Sequence, residues 1–168
     1  LVRKKIKSQF GGSLKTFVSG GGALDKEVGY FLNAIGLPTL QGYGLTETSP
    51  VVSCNPIDDI RIDTVGPPFK GNEVKIAEDG EILVRGENVM LGYWNNEEET
   101  NKVLVERDNK IWYKTGDSGY IEDDFLYYDG RISENYKLSN GKFVNVDYIE
   151  TKVKEHVKCN CVVFTQDN

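Results

Sequence analysis

Between Val51 and Gly130 the chain is punctuated at short intervals by turn-forming runs: Gly66-Pro67-Pro68, Asp79-Gly80, Asn95-Asn96, Asp108-Asn109 and Asp123-Asp124. Glycine, asparagine and aspartate accept turn dihedrals and proline breaks ladders, so such spacing leaves room for short strands and little else. Strands are expected at Glu73 to Ala77, Glu81 to Arg85, Ile111 to Lys114, Ser118 to Glu122 and Phe125 to Tyr128, with one helix over Asn96 to Val105. The expectation for this stretch is a small, mostly antiparallel, barrel-like β unit.

The flanks have a different texture. Leu14 to Ser19 alternates apolar and polar residues and runs into Gly20, Gly21 and Gly22, as a strand does when it ends in an open loop. Asp25 is placed to cap a helix over Lys26 to Ile35, whose Val28, Phe31, Leu32 and Ile35 recur at helical spacing, and Gly36 and Pro38 close it. A short strand around Leu40 follows, giving strand, helix, strand, with loops leaving the carboxyl ends of parallel strands at one edge. After Asp129-Gly130-Arg131 come a two-stranded ribbon turning at Ser139-Asn140-Gly141, a helix from Val146 to Val157 and a strand from Cys161 to Thr165. The fold class expected is therefore mixed α/β and β. Residues 1–50 would end an α/β subdomain with a parallel sheet, 51–129 form the β-barrel-like subdomain, and 130–168 begin an α+β C-terminal lobe. The linker falls at Asp129 to Ser133.

A chain of 168 residues with 26 acidic against 20 basic side chains, net −6, lacks the basic face a nucleic-acid binder needs. Cys54, Cys159, Cys161 and the single histidine, His156, make no metal-ligand set, so incidental roles are expected for them. The sparse cysteine usage suits a reducing cytoplasm. No apolar run is long enough to span a membrane, and no signal peptide is recognisable. The opening Leu-Val-Arg-Lys-Lys, without an initiator methionine, reads as the start of a piece of a longer protein.

The densest concentration of chemistry lies in Gln41-Gly-Tyr-Gly-Leu-Thr-Glu-Thr-Ser-Pro50. Tyr43 offers a ring for a base, Gly42 and Gly44 offer backbone without side chains, Thr46 a hydroxyl for a phosphate oxygen and Glu47 a carboxylate for a hard cation such as Mg²⁺. The loop from Gly20 to Ala23 should be its neighbour across the strand edge. Farther on, Asp117 of Thr115-Gly-Asp117 is expected after a tight turn, where a carboxylate can accept from both hydroxyls of a ribose.

Together these motifs resemble the adenylate-forming superfamily, which includes acyl-CoA synthetases, peptide adenylation domains and firefly-type luciferases. The resemblance rests on Gln41 to Glu47, Gly80-Glu-Ile-Leu-Val-Arg-Gly86 continuing to Gly92-Tyr93, Tyr113-Lys-Thr-Gly-Asp117, and Asp129-Gly-Arg131 followed by Tyr136 to Gly141, all in register. The run Glu134 to Val144 looks most like the long-chain fatty acyl-CoA synthetases. What the resemblance implies is ATP-dependent activation of a carboxylic acid, with Mg²⁺, as an acyl-adenylate, then transfer to CoA. Tyr43 would stack on adenine, Thr46 contact the α-phosphate, Glu47 hold the metal, and Asp117 and Arg131 bind ribose. Gly20, Gly21, Gly22 and Ala23 would pass close to adenine and the acyl carboxylate, and Gly141 would lie on the CoA side. The second residue after the linker arginine, commonly Lys or Asp in the family, is here Ser133, which keeps a backbone hinge and loses the charge.

The resemblance also implies an upstream phosphate loop with a lysine and a C-terminal lysine that this sequence does not contain, so the 168 residues read as an internal piece without synthetase activity of their own. Two alternatives stay open: a non-catalytic nucleotide-binding or interaction module, and an adenylating enzyme for an aryl, short-chain or amino acid. Handling fatty acids is compatible with peripheral membrane association without a spanning helix.

Overall fold

A computed structural model describes residues 2–22, 24–137 and 143–157. Helix α1 (Val2–Gln9) precedes β1 (Phe17–Ser19), α2 (Lys26–Ala34) and β2 (Thr39–Tyr43), and β1 and β2 pair in parallel with Ser19 opposite Gln41. Asp25 accepts a hydrogen bond from the Val28 amide at 3.0 Å, closing the first turn of α2 as its position predicts. The glycine loop after β1 and the Gly42 to Glu47 stretch thus leave the same edge of a parallel pair. A short β3 (Ser53–Cys54) returns antiparallel against β2.

The middle of the chain forms one antiparallel sheet: β4 (Glu73–Ile76), β5 (Glu81–Arg85), β6 (Leu104–Arg107), β7 (Lys110–Glu122) and β8 (Phe125–Arg131). Its order is β4-β5-β7-β6, with β8 also on β7, so the unit is an open sheet and not a closed barrel. Helix α3 (Glu97–Val103) is shorter than expected because Leu104 and Val105 leave it to pair with Tyr113 and Trp112. Asp129 to Arg131, assigned to the linker from sequence, continue β8, and a short 3-10 turn, Ile132–Glu134, carries the exposed Ser133. Strands β9 (Asn135–Lys137) and β10 (Phe143–Asn145) form the expected ribbon, followed by α4 (Val146–His156). The ribbon's turn at Ser139 to Gly141 and the strand at Cys161 to Thr165 lie outside the described residues, as do Cys159 and Ala23.

The expected turn at Thr115-Gly116-Asp117 is instead a bulge inside one long strand. Leu83 faces Lys114 while Glu81 faces Ser118, so three residues of β7 bow out opposite Ile82. The bow survives because side chains satisfy its backbone: the Gly116 amide donates to Glu81 Oε1 at 3.0 Å, the Asp117 amide to Thr115 Oγ1 at 3.1 Å, and Thr115 Oγ1 to the Ile82 carbonyl at 2.8 Å. Gly116 sits at φ +71°, a left-handed conformation that a side chain would strain.

One core joins the two sheets. Ile82 and Val84, two apart on β5 and fully buried, pack with Tyr43, Val52, Val65 and Leu126. Each such aliphatic side chain contributes roughly 1.5–3 kcal/mol on burial. Because Tyr43 belongs to this cluster, the packing that stabilises the fold also fixes the end of β2 against the bulge of β7. Among the described residues no helix is long and apolar enough to cross a membrane.

Candidate functional site

A cavity of about 560 Å³ opens where the glycine loop, the end of β2 and the β7–β8 ladder meet. Its lining brings together Gly21, Gly22, Gly42, Tyr43, Gly44, Asp117 and Arg131, all singled out in the sequence. Tyr43 is nearly buried, with its ring 5.9 Å from that of Tyr128 and tilted 34° to it. Its hydroxyl donates to Asp117 Oδ2 at 2.7 Å. Burial, and next the Asp117 carboxylate, push the Tyr43 phenol far above its ordinary ionisation range, so it remains a donor.

Asp117 is 2% exposed, and its Oδ1 lies 3.1 Å from Arg131 Nε. Arg131 faces Asp117 in the antiparallel register and also donates from Nη1 to the Thr115 carbonyl at 3.1 Å. One guanidinium therefore holds the carboxylate and the bulge that presents it, a use of the planar fork that a lysine cannot copy.

Thr46 and Glu47 sit just beyond the cavity lining, on the 3-10 turn Thr46–Thr48. That turn is held from outside by a later segment. The Met90 amide donates to the Glu47 carbonyl at 2.8 Å, Asn88 Nδ2 to the Thr48 carbonyl at 2.8 Å, and the Tyr93 hydroxyl to Glu47 Oε1 at 2.9 Å. Burial, and then the Glu47 carboxylate, push the phenols of both Tyr93 and Tyr113 up from their ordinary value. Glu47 is thus a positioned, half-buried carboxylate rather than a loose turn residue. Among the described residues no group of three or more His, Cys, Asp or Glu side chains could hold a metal alone. A single carboxylate of this kind does fit Mg²⁺, which commonly takes one or two carboxylates and completes its shell with water and substrate phosphates.

Gly20 is at the end of β1 but outside the lining, Ser133 is exposed, and Ala23 and Gly141 are not among the described residues. Sequence reasoning missed Tyr128, which faces Tyr43, and gave Tyr93 no role. The aromatic pair Tyr127-Tyr128 just before Asp129-Gly-Arg131 was the available signal for the first. Tyr120 and Tyr127, cross-strand partners, stack at 4.5 Å on another part of the same wall.

Residues 2–94 match the AMP-binding enzyme family. The chain is 40% identical over 157 residues to a long-chain-fatty-acid–CoA ligase of Mycobacterium bovis, covering 93% of this chain and 26% of that protein. It is 35% identical to a 2-succinylbenzoate–CoA ligase of Listeria innocua, over 80% of this chain and 29% of that one. Among solved structures, the O-succinylbenzoate coenzyme A synthetase of Bacillus subtilis in complex with AMP superposes with a TM-score of 0.73 at 26% identity, covering 92% of this chain and 35% of that one. The chain belongs to the AMP-binding enzyme family, whose acid–CoA ligases are its relatives. It spans about a quarter of the length of the curated relatives it matches.

Proposed function

We propose that these residues form part of an ATP-dependent acid–CoA ligase that activates a long-chain fatty acid. The observation that supports this most strongly is the closure of Tyr43, Asp117 and Arg131 around one cavity, in a chain 40% identical to a fatty-acid–CoA ligase. In the first half-reaction a carboxylate oxygen attacks the α-phosphorus of ATP, the bond to the β-phosphate oxygen breaks, and pyrophosphate leaves. In the second, the CoA sulfur attacks the acyl carbon, the thiol proton is lost and AMP leaves with the electron pair of the broken acyl–oxygen bond. The first step brings an anionic carboxylate to an anionic phosphate, so alignment and fixed electrostatics lower its barrier without a side-chain nucleophile.

In this reading adenine lies between the Tyr43 and Tyr128 walls and the glycine loop, with ribose hydroxyls on Asp117 and Arg131. Thr46 contacts the α-phosphate. Glu47, held by Tyr93, takes a Mg²⁺ ion whose chemistry is to neutralise phosphate charge. Gly20 to Ala23 border the acyl carboxylate, Gly141 lies toward CoA, and Ser133 serves as a hinge between half-reactions. The 168 residues alone, which span about a quarter of the length of the curated relatives, are expected not to complete the reaction. ATP–pyrophosphate exchange tests both halves of the reading: exchange by the full reading frame with a fatty acid supports it, and exchange by the 168-residue chain contradicts the second half.

A different acid is favoured by one observation, the 35% identity to a 2-succinylbenzoate–CoA ligase. Exchange with aryl acids but not with fatty acids would select that reading.

A further inference from the structure

Gly21 and Gly22 belong to the wall of the cavity and have open space where side chains would lie. A Cβ built at Gly21 or Gly22 would meet nothing within 4 Å, and Gly21 sits at φ +78°. Both residues nevertheless line the cavity beside Leu24. Backbone without packed side chains samples many states unless something fastens it.

The fastening is a side chain on the neighbouring strand. Gln41 lies on β2 opposite Ser19, the last residue before the loop. Its Oε1 accepts a hydrogen bond from the Leu24 amide at 3.0 Å, and its Nε2 donates to the Thr64 carbonyl at 3.3 Å. The Thr64 end is rigid. Thr64 and Asn55 are 1% and 2% exposed, and Asn55 Nδ2 donates to the same Thr64 carbonyl at 2.8 Å. Asn55 closes the circuit by donating its amide to the Gln41 carbonyl at 3.0 Å. One amide side chain thereby links Leu24, at the end of the glycine loop, to the Ile62 to Val65 segment, of which Ile62, Asp63 and Val65 also line the cavity. The clip on the loop is the acceptance from Leu24, which a glutamate at this reach keeps while losing the donor to Thr64, and which a methionine loses together with that donor.

We infer that Gln41 is a positioning residue: its amide clips the glycine loop through Leu24 and so sets the width of the nucleoside cavity. This rests on the nucleotide reading of the cavity given above. Holding the loop in its bound geometry before the ligand arrives removes an ordering cost from binding.

The test uses the full reading frame, with adenosine as the probe so that an added charge at residue 41 does not repel a phosphate. Gln41→Met removes both bonds with little change of shape. Gln41→Glu keeps an acceptor for the Leu24 amide and loses only the donor to Thr64. The inference expects Gln41→Met to raise the adenosine Kd by about tenfold, roughly the loss of one well-formed interaction. It expects Gln41→Glu to stay within about threefold of wild type on the same scale. Amide exchange over Gly20 to Asp25 should accelerate in the methionine variant and stay slow in the glutamate variant. Gln41→Met that lowers Tm while leaving the adenosine Kd and the loop exchange at wild-type values would overturn the positioning role. So would a glutamate variant as weak as the methionine one. Wild-type protein that binds no adenosine would instead remove the nucleotide reading itself, and the positioning role with it.

Discussion

The Tyr43 hydroxyl and Asp117 Oδ2 stand 2.7 Å apart although 74 positions separate them in the chain. Tyr43 ends a parallel strand and Asp117 lies in a bulge of the antiparallel sheet, so this bond joins the two sheets at the cavity. Removing it leaves a buried carboxylate with one partner fewer. Tyr43→Phe should therefore cost about 1–3 kcal/mol of stability. Urea unfolding measures this, and a loss below about 0.5 kcal/mol would show that the bond contributes little.

The same phenol makes a pH prediction. Its folded ionisation is raised above the ordinary value of 10.0, so the unfolded chain loses its proton first as pH rises. The folded state then binds more protons than the unfolded one, and stability falls with increasing pH above about 10. The contribution is complete below that value. Tyr43→Phe should show a shallower alkaline decline in Tm than wild type, and parallel declines would count against this assignment.

Arg131→Lys should separate binding from stability. The pair with Asp117 is half-exposed on the arginine side, so folding should lose less than about 1 kcal/mol. A lysine reaches one acceptor as a point charge and abandons either Asp117 or the Thr115 carbonyl. Nucleoside affinity should fall several-fold while Tm barely moves; equal affinity would dissociate Arg131 from the ribose side.

Tyr93→Phe takes the donor from Glu47 Oε1 and leaves the carboxylate free to turn. In the full reading frame the concentration of Mg²⁺ needed for half-maximal pyrophosphate exchange should rise, with adenosine affinity unchanged. A second readout is independent of turnover: Mn²⁺ binding in the presence of ATP, followed by its paramagnetic signal, should weaken in parallel. Unchanged metal dependence in both would contradict the positioning of Glu47 by Tyr93.

Gly44→Ala probes the close approach that shapes the turn. A Cβ there would lie 1.8 Å from the Pro50 carbonyl oxygen, so backbone must move. The expected cost is about 1–3 kcal/mol, read by thermal unfolding. A fully stable variant would mean that the Thr46–Thr48 turn can shift as a unit.

Local signals made the parallel pair, the capped α2 and the glycine loop legible, because each is written in consecutive residues. The β7 bulge was not. Thr115-Gly-Asp117 has the composition of a turn, and only Glu81 and the Ile82 carbonyl, distant in sequence, keep it in the ladder. The end of α3 was lost for a related reason, since Leu104 and Val105 fit a helix until strand β7 pairs with them. In the site, Tyr43 and Asp117 were readable from their residue chemistry and Arg131 from the family resemblance, whereas the facing ring of Tyr128 and the hold of Tyr93 on Glu47 are products of tertiary packing.

The most direct measurement is acid-dependent AMP release by the full reading frame with ATP, Mg²⁺ and CoA, across fatty acids of increasing length and a set of aryl and amino acids. Release with long-chain fatty acids and formation of the matching acyl-CoA is the expected result. Release confined to aryl or amino acids, with fatty acids of every length inert, would contradict it.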